Sequence, residues 1–161
     1  MTLKRREFIT LLGGAAGFAA TALGALPALV LRRLPQRVED SLLGLAAGMM
    51  LQVPVVFARK NKPITLAQEP YQAQAPSHTK GGLVTLIVSR EFLLPQDRII
   101  IVDDFLATAL TIRALADIVK QSGAALVGIG AVIEKSFEGG RSALEDLGVQ
   151  VESLAVIDRF D

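Results

Sequence analysis

The sequence predicts an α/β fold, in which a parallel β-sheet is flanked by helices. The branched apolar residues 99–102 follow one another without interruption, which is typical of a strand buried on both faces of a parallel sheet. Strand and helix patterns alternate from there to the end of the chain, and Gly123 and Gly148 follow the helical ones. With 161 residues, the chain has room for one modest domain.

Residues 1–37 differ in composition from the rest. Lys4, Arg5 and Arg6 precede an uncharged run over residues 9–31 that is rich in Gly, Ala and Leu. The paired arginines resemble a twin-arginine export signal, and the run exceeds the about 20 apolar residues that a membrane span needs. A buried helical hairpin is a third interpretation. We therefore divide the chain into a signal-like or transmembrane-like segment, 1–37, and a core domain, 38–161, with membrane attachment through residues 9–31 left open.

The first half of the core domain predicts a helix, a strand and a hairpin in that order. Apolar residues recur at helical spacing over residues 40–52, and residues 53–58 form an apolar run typical of a buried strand. Residues 64–89 contain two β-like segments separated by Pro, Gly and Ser, of which residues 83–88 are the stronger. This pattern predicts a long hairpin or a mobile flap.

The second half predicts three strands joined by helices. After the strand at residues 99–102, a helix is expected after Asp104 and as far as Ser122, with Leu115, Ile118 and Val119 on its buried face. A strand over residues 126–133, a short helix over residues 143–147 and a last strand over residues 149–157 follow. Such an order requires crossover connections, and therefore a parallel sheet.

The composition excludes several kinds of site. The chain has no cysteine and a single histidine, so thiolate and histidine-cluster metal sites are excluded and a Ser-His triad is improbable. Any metal should be a hard ion bound by oxygen atoms, largely through the substrate. The 17 basic and 16 acidic residues give a net charge of +1, which argues against a nucleic-acid partner.

Residues 99–111, IIIVDDFLATALT, contain the strongest functional signal. Asp103 and Asp104 follow the apolar strand, and a loop of small and hydroxyl residues then precedes a helix. Ligands of open α/β sheets bind at the carboxyl ends of strands, where a helix N-terminus favours an anion. The pattern indicates a sugar phosphate whose hydroxyls bond to the aspartates. The alternative is a solvated strand end followed by a helix cap.

From about residue 53 to residue 157 the chain resembles the type I phosphoribosyltransferases, most closely the xanthine phosphoribosyltransferase branch. The resemblance is carried by VPVVFARKNKPITL at 53–66, SHTKGG at 77–82, RIIIVDDFLATALT at 98–111, GIGAVIEKSFEGGR at 128–141 and VESLAVI at 151–157. It implies a sheet flanked by helices, a flexible hairpin flap and, here, an incomplete hood over the base. It also implies transfer of ribose 5-phosphate from phosphoribosyl pyrophosphate to xanthine or a related oxopurine in purine salvage.

The resemblance assigns roles to individual residues. Asp103 and Asp104 are expected to hold the ribose hydroxyls and, through the substrate, Mg²⁺. The 5′-phosphate loop is expected to consist of Ala107, Thr108, Ala109, Leu110 and Thr111, and the basic turn near the pyrophosphate of Arg59, Lys60 and Lys62. The flap is expected to contribute Ser77, Thr79 and Lys80. Lys135 and Phe137 are expected to recognise the base. The resemblance further implies a homodimer, a cytoplasmic location and no nucleic acid.

Two departures from the family pattern keep an alternative open. Ala109 stands where the family usually has glycine, and a left-handed conformation there would cost about 1–2 kcal/mol. Residues 37–42 contain two carboxylates and no glycine where the family has its pyrophosphate loop. These departures favour a second hypothesis, a non-catalytic module that senses phosphoribosyl pyrophosphate or a nucleotide. A third hypothesis is a membrane-attached or exported remnant that has no ligand and is inactive.

Overall fold

The protein is described by a computed structural model that covers residues 9–12, 46, 48, 52–60, 69–76 and 82–159. Within these residues the chain forms one α-helix that is described over its whole length, three 3-10 helices (Arg90–Phe92, Ser136–Glu138 and Ser142–Leu147) and two β-sheets. The strands are, in chain order, β1 (Ile9–Leu12), β2 (Val55–Phe57), β3 (Tyr71–Pro76), β4 (Leu83–Val88), β5 (Arg98–Leu106), β6 (Ala125–Lys135) and β7 (Gln150–Ile157). The helix, α1, spans Leu110–Ser122 and connects β5 to β6.

The larger sheet is parallel throughout, as the sequence predicts, with the strand order β2-β1-β5-β6-β7. Strand β5 therefore lies in the middle of the sheet. Ile99 and Ile101 are completely buried, whereas Ile100 and Val102 are half-buried. The prediction of a strand buried on both faces is therefore correct for alternate residues only.

The N-terminal apolar run contributes to this sheet. Strand β1 lies between β2 and β5, pairing Thr10 with Val55 and with Ile100. Nothing supports the twin-arginine signal, and the other residues of the segment lie outside the described ranges. The boundary at residue 37 stays a prediction. Among the helices of the described ranges, none has the length and apolarity that a bilayer crossing requires.

Helix α1 covers one face of the sheet. Its buried residues include Ile112, Leu115, Ile118 and Val119, and each buried aliphatic side chain contributes about 1.5–3 kcal/mol. The predicted end of the helix is confirmed, because Ser122 is its last residue and Gly123 follows with φ 77°, a conformation that suits glycine.

The predicted hairpin is confirmed in the described residues, where β3 and β4 pair as an antiparallel sheet. The side chain of Gln121 on α1 fastens its base. The Gln121 Nε2 group donates to the carbonyl oxygen of Gln72 (2.8 Å), and the Gln72 backbone N–H donates to Gln121 Oε1 (3.3 Å). At the same end of the hairpin, the Arg90 guanidinium lies 4.4 Å from the centre of the Tyr71 ring. The hairpin is therefore anchored to the core at its base.

Several predicted boundaries were wrong. Strand β5 continues through Asp103 and Asp104 to Leu106, because these residues still pair with β6. Strand β6 likewise continues to Lys135 instead of ending at Ile133. The short helix predicted over residues 143–147 is a 3-10 helix, Ser142–Leu147, and the helix predicted over residues 40–52 is described only at Ala46 and Gly48, which are both helical.

Candidate active site

The paired aspartates lie in the last third of the central strand β5. Asp103 is buried and Asp104 is half-buried. The backbone N–H of Asp104 donates to Asp103 Oδ1 (3.1 Å), and the backbone N–H of Phe105 donates to Asp104 Oδ1 (2.9 Å). Each carboxylate is thus oriented by the backbone of the following residue. Both carboxylates are thereby held near the carboxyl end of the sheet.

The loop after these aspartates leads directly into the N-terminus of α1. Ala107 and Thr108 form a bend, Ala109 precedes the helix, and Leu110 and Thr111 are its first two residues. Within the described ranges, no side chain makes a capping hydrogen bond to the helix N-terminus. Because the first backbone N–H groups of a helix have no intrahelical acceptor, such an uncapped end favours an anion. We call residues 107–111 the phosphate loop, after the role that the family resemblance predicts for them.

Ala109 adopts the left-handed conformation that the sequence analysis considered, with φ 64° and ψ 4°. Its side chain is buried at 5% exposure. A residue with a Cβ atom is strained in this region, where glycine is not. The chain therefore keeps the loop shape that a glycine would adopt, and it does so with a residue that raises the free energy of that shape.

Lys135 and Phe137 lie at the end of β6, beside the aspartate strand. The register pairs Phe105 with Ile133 and Leu106 with Glu134, so Lys135 lies just beyond the aspartates on the neighbouring strand. Lys135 Nζ lies 5.6 Å from the centre of the Phe105 ring and 3.4 Å from Glu138 Oε1. Phe105 and Phe137 are 41% and 47% exposed. The arrangement presents a cation and two aromatic rings around one edge of the sheet.

The basic turn lies at the carboxyl end of another parallel strand. Arg59 and Lys60 follow β2 and are exposed, and the backbone of Arg59 exchanges two hydrogen bonds with Ile87 of the hairpin (2.9 and 2.8 Å). The turn is therefore joined to the base of the flap. Four further predicted site residues lie outside the described ranges: Lys62, Ser77, Thr79 and Lys80.

A network of charged residues next to Lys135 was not predicted. The carboxylate of Glu134 is buried and accepts from Arg141 Nε (2.9 Å), Arg141 Nη2 (2.5 Å) and Ser153 Oγ (2.7 Å). Hydrogen bonding by Arg141 lowers the pKa of Glu134, against the opposing effect of burial. The available signal in the sequence was a glutamate at the end of an apolar strand, since such residues are rarely buried without a partner.

Gly140 was also missed, although it touches the phosphate loop. A Cβ atom on Gly140 would lie 2.1 Å from the carbonyl oxygen of Ala107 and 2.9 Å from Leu106 Cδ1. Gly140 is buried, so the backbones of the two loops are in direct contact. The signal was the pair Gly139-Gly140, because glycine often marks a close backbone approach.

The donor atoms at this site suit a hard cation. Asp103 and Asp104 offer carboxylate oxygens, which Mg²⁺ prefers, and Mg²⁺ is usually held by one or two carboxylates together with substrate phosphates. Within the part of the chain that the structure describes, no three His, Cys, Asp or Glu side chains are grouped as a metal site. Any cation held here by the described residues would need oxygen ligands from a substrate or water.

Comparison with known proteins decides the family. Residues 8–155 match the family model described as the phosphoribosyl transferase domain. The chain belongs to this family. Xanthine phosphoribosyltransferases from Deinococcus deserti and Brevibacillus brevis are 51% and 49% identical to it over 117 and 114 residues, respectively. These matches cover 73% and 71% of this chain but only 61% and 58% of those proteins.

Solved structures of the family share the fold. The adenine phosphoribosyltransferase of Thermoanaerobacter pseudethanolicus has a TM-score of 0.66 at 25% identity, covering 96% of this chain and 74% of its own. An enzyme of the same name from Giardia lamblia has a TM-score of 0.68 at 18% identity, covering 98% of this chain and 73% of its own. The predicted type I phosphoribosyltransferase fold class is thereby confirmed.

Proposed function

We propose that this protein transfers ribose 5-phosphate from phosphoribosyl pyrophosphate to an oxopurine, with xanthine as the preferred acceptor, and so acts in purine salvage. The observation that carries the proposal is the juxtaposition of three features at one sheet edge: paired aspartates, a phosphate loop and a lysine with aromatic neighbours. The relatives named xanthine phosphoribosyltransferase share about half of their aligned residues with this chain, which supports the acceptor class.

The donor would bind along β5 and the start of α1. Asp103 and Asp104 accept hydrogen bonds from the ribose hydroxyls, and the backbone N–H groups and hydroxyls of residues 107–111 receive the 5′-phosphate. Arg59 and Lys60, together with Lys62, would face the pyrophosphate. When bound, Mg²⁺ would neutralise charge on the pyrophosphate, and Asp103 and Asp104 would hold it through the ribose hydroxyls.

The acceptor base would bind beside β6. Lys135 donates a hydrogen bond to an exocyclic oxygen of the purine. An exocyclic amino group would be a poor acceptor of this bond, because it is itself a donor. Phe137 packs on the face of the purine ring. Phe105, which the sequence analysis did not assign to the site, packs on the ring as well. A lysine near the base also stabilises an anionic acceptor, and xanthine is relatively acidic, so it needs little help from a general base.

The reaction would rely on positioning and electrostatics rather than on a protein nucleophile. The bond from C1′ to the pyrophosphate oxygen breaks, the purine N9 forms the new bond to C1′, and the transition state resembles an oxocarbenium ion. Closure of the flap with Ser77, Thr79 and Lys80 would exclude water and prevent hydrolysis of the donor. The donor is a cytosolic metabolite, so we propose that the protein is cytoplasmic. We further propose that it forms a homodimer. Fractionation of the tagged full chain tests the cytoplasmic location against attachment to a membrane.

The test is a calorimetric titration of the full chain with phosphoribosyl pyrophosphate and Mg²⁺, followed by an assay of nucleotide formation from xanthine. We expect binding and product from xanthine in preference to adenine. The double variant Asp103→Asn/Asp104→Asn should lower donor affinity at least about 100-fold, because two charge-assisted hydrogen bonds are weakened. The control Asp117→Asn/Glu145→Gln removes the same charge from exposed positions and should bind normally.

Three outcomes of this test count against parts of the proposal. Binding without product would favour a sensor of phosphoribosyl pyrophosphate over an enzyme. Absence of binding by a folded sample would overturn both. Donor affinity that is equal in the aspartate variant and in the control would overturn the assignment of Asp103 and Asp104.

A further inference from the structure

Residues 135–140, which we call the Lys135 loop, are closed at their base by an ion pair. Glu134 precedes the loop and Arg141 follows it, and the guanidinium of Arg141 contacts both carboxylate oxygens of Glu134 (2.9 and 2.5 Å). Arg141 Nη1 also donates to the carbonyl oxygen of Val151 on β7 (2.7 Å). The two ends of the loop are thus fastened to each other and to the edge strand.

The carboxylate of this ion pair is buried, whereas the guanidinium side chain is half-exposed. The side chain of Glu134 is 5% exposed and that of Arg141 is 46% exposed. Ser153 Oγ supplies a third hydrogen bond to the carboxylate (2.7 Å). A buried carboxylate held by two side chains has a fixed orientation, because any rotation would leave one of its oxygens without a partner.

This orientation matters for the neighbouring lysine. Glu134 and Lys135 are successive residues at the end of β6, so the backbone orientation at Glu134 also sets the direction in which the Lys135 side chain leaves the strand. Leu106, the register partner of Glu134, is completely buried, whereas Phe105, which faces Lys135, is 41% exposed. Fixing Glu134 beside the buried Leu106 therefore fixes the direction in which Lys135 leaves the strand beside the exposed Phe105.

The C-terminal end of the Lys135 loop, at Gly140, contacts the phosphate loop. Because a Cβ atom on Gly140 would lie 2.1 Å from the Ala107 carbonyl oxygen, the two backbones have no space for a side chain between them. A side chain added at Gly140 would therefore displace the carbonyl group of Ala107 in the phosphate loop.

We propose that Glu134, Arg141 and Gly140 are positioning residues that hold the Lys135 loop against the phosphate loop and thereby set the affinity for the purine base. The inference rests on the proposed function, since it concerns the base-binding half of that site. None of these residues needs to touch the substrate. Their effect comes from geometry, and a misplacement of about 1 Å in a binding group costs up to about 100-fold in rate.

The first test compares Arg141→Ala and Arg141→Lys in the full-length protein. We expect KM for xanthine to rise about tenfold in Arg141→Ala while KM for phosphoribosyl pyrophosphate stays within about twofold, with Arg141→Lys intermediate because it keeps the charge but loses the bidentate geometry. The matched control is Arg113→Ala, which removes a bidentate pair whose carboxylate, that of Asp146, is exposed instead of buried (2.6 and 2.8 Å). Equal changes in both KM values, or no change, would overturn the role of Arg141.

The second test separates the loop contact from general effects of adding a methyl group. Gly140→Ala should weaken both donor and base at least about tenfold, because the added Cβ displaces the carbonyl of Ala107. Gly148→Ala is the control, since its Cβ would meet nothing within 4 Å and its positive φ of 64° makes it costly for stability alone. If Gly140→Ala leaves both affinities at the level of Gly148→Ala, the coupling between the loops is wrong.

Calorimetry with ribose 5-phosphate and with xanthosine 5′-monophosphate separates failure of this inference from failure of the proposed function. If the wild type binds neither ligand, the proposed function fails and the inference fails with it. If the wild type binds both, and Arg141→Ala binds both equally well, only the inference is overturned. Selective loss of nucleotide affinity in Arg141→Ala supports the inference even in the absence of turnover.

Discussion

Two neighbouring loops at the same edge of the sheet are stabilised in different ways. The phosphate loop after β5 places Ala109 in the left-handed region at φ 64°, and no side chain of the described residues caps the helix that follows. The Lys135 loop after β6 places Gly139 in that region at φ 73°, and an ion pair closes its base. The phosphate loop is therefore strained by its own sequence, whereas the Lys135 loop is held by side chains.

The difference teaches where the stability of each loop resides. The phosphate loop keeps its shape because its surroundings impose it: Ala109 is buried, and Gly140 packs against Ala107. Strained conformations persist only where the neighbouring structure over-determines them. The Lys135 loop supplies much of its own restraint through Glu134 and Arg141. Altering each kind of restraint should therefore change stability in opposite directions.

The largest expected effect is on the ion pair of the Lys135 loop. Arg141→Ala leaves the carboxylate of Glu134 buried with only Ser153 as a side-chain partner, and should lower the free energy of unfolding by about 2 kcal/mol. The half-exposed position of Arg141 keeps the loss below the full cost of breaking a buried pair. Chemical denaturation of the variant measures it. Arg113→Ala should lose less, and an equal loss would remove the distinction between the two pairs.

The second effect has the opposite sign and concerns the strained loop. Ala109→Gly should raise the free energy of unfolding by about 0.5–1 kcal/mol, because relief of the left-handed strain exceeds the entropy lost by glycine. Affinity for ribose 5-phosphate should rise as well. Ala116→Gly, in the interior of α1, is the matched control and should destabilise by about 1 kcal/mol. Destabilisation by both substitutions would show that Ala109 is not strained.

The smallest expected effect is a pH dependence that comes from Glu134. Its pKa in the folded protein is lowered below the ordinary value of 4.5, chiefly by the hydrogen bonds from Arg141. The stabilisation is complete above that ordinary value and is lost as the pH falls through the lowered pKa. The wild type should therefore lose its stability advantage over Glu134→Gln below about pH 4.5. Denaturation at several pH values measures this, and a constant difference between the two proteins would contradict it.

The sequence alone predicted the strand and helix around the phosphate loop because their signals are local. Branched apolar residues predicted β5, the spacing of Leu115, Ile118 and Val119 predicted the buried face of α1, and Gly123 predicted its end. The aspartate pair was also visible, since it follows the apolar run directly, whereas the strain at Ala109 was expected only from the family resemblance, because the family usually has glycine there. Strand ends were less accurate, because pairing with β6 extends β5 beyond its apolar run.

Only the tertiary structure decided how the two loops are held. Glu134 and Ser153 are 19 residues apart, and Ala107 and Gly140 belong to the connections after different strands. Neither contact has a periodic signature, because each arises when parallel pairing brings the carboxyl ends of β5, β6 and β7 to one edge. The residues that supply the chemistry of the site were thus recognisable from short sequence motifs. Its geometry depends on contacts between residues far apart in the chain, which form only when the sheet has assembled.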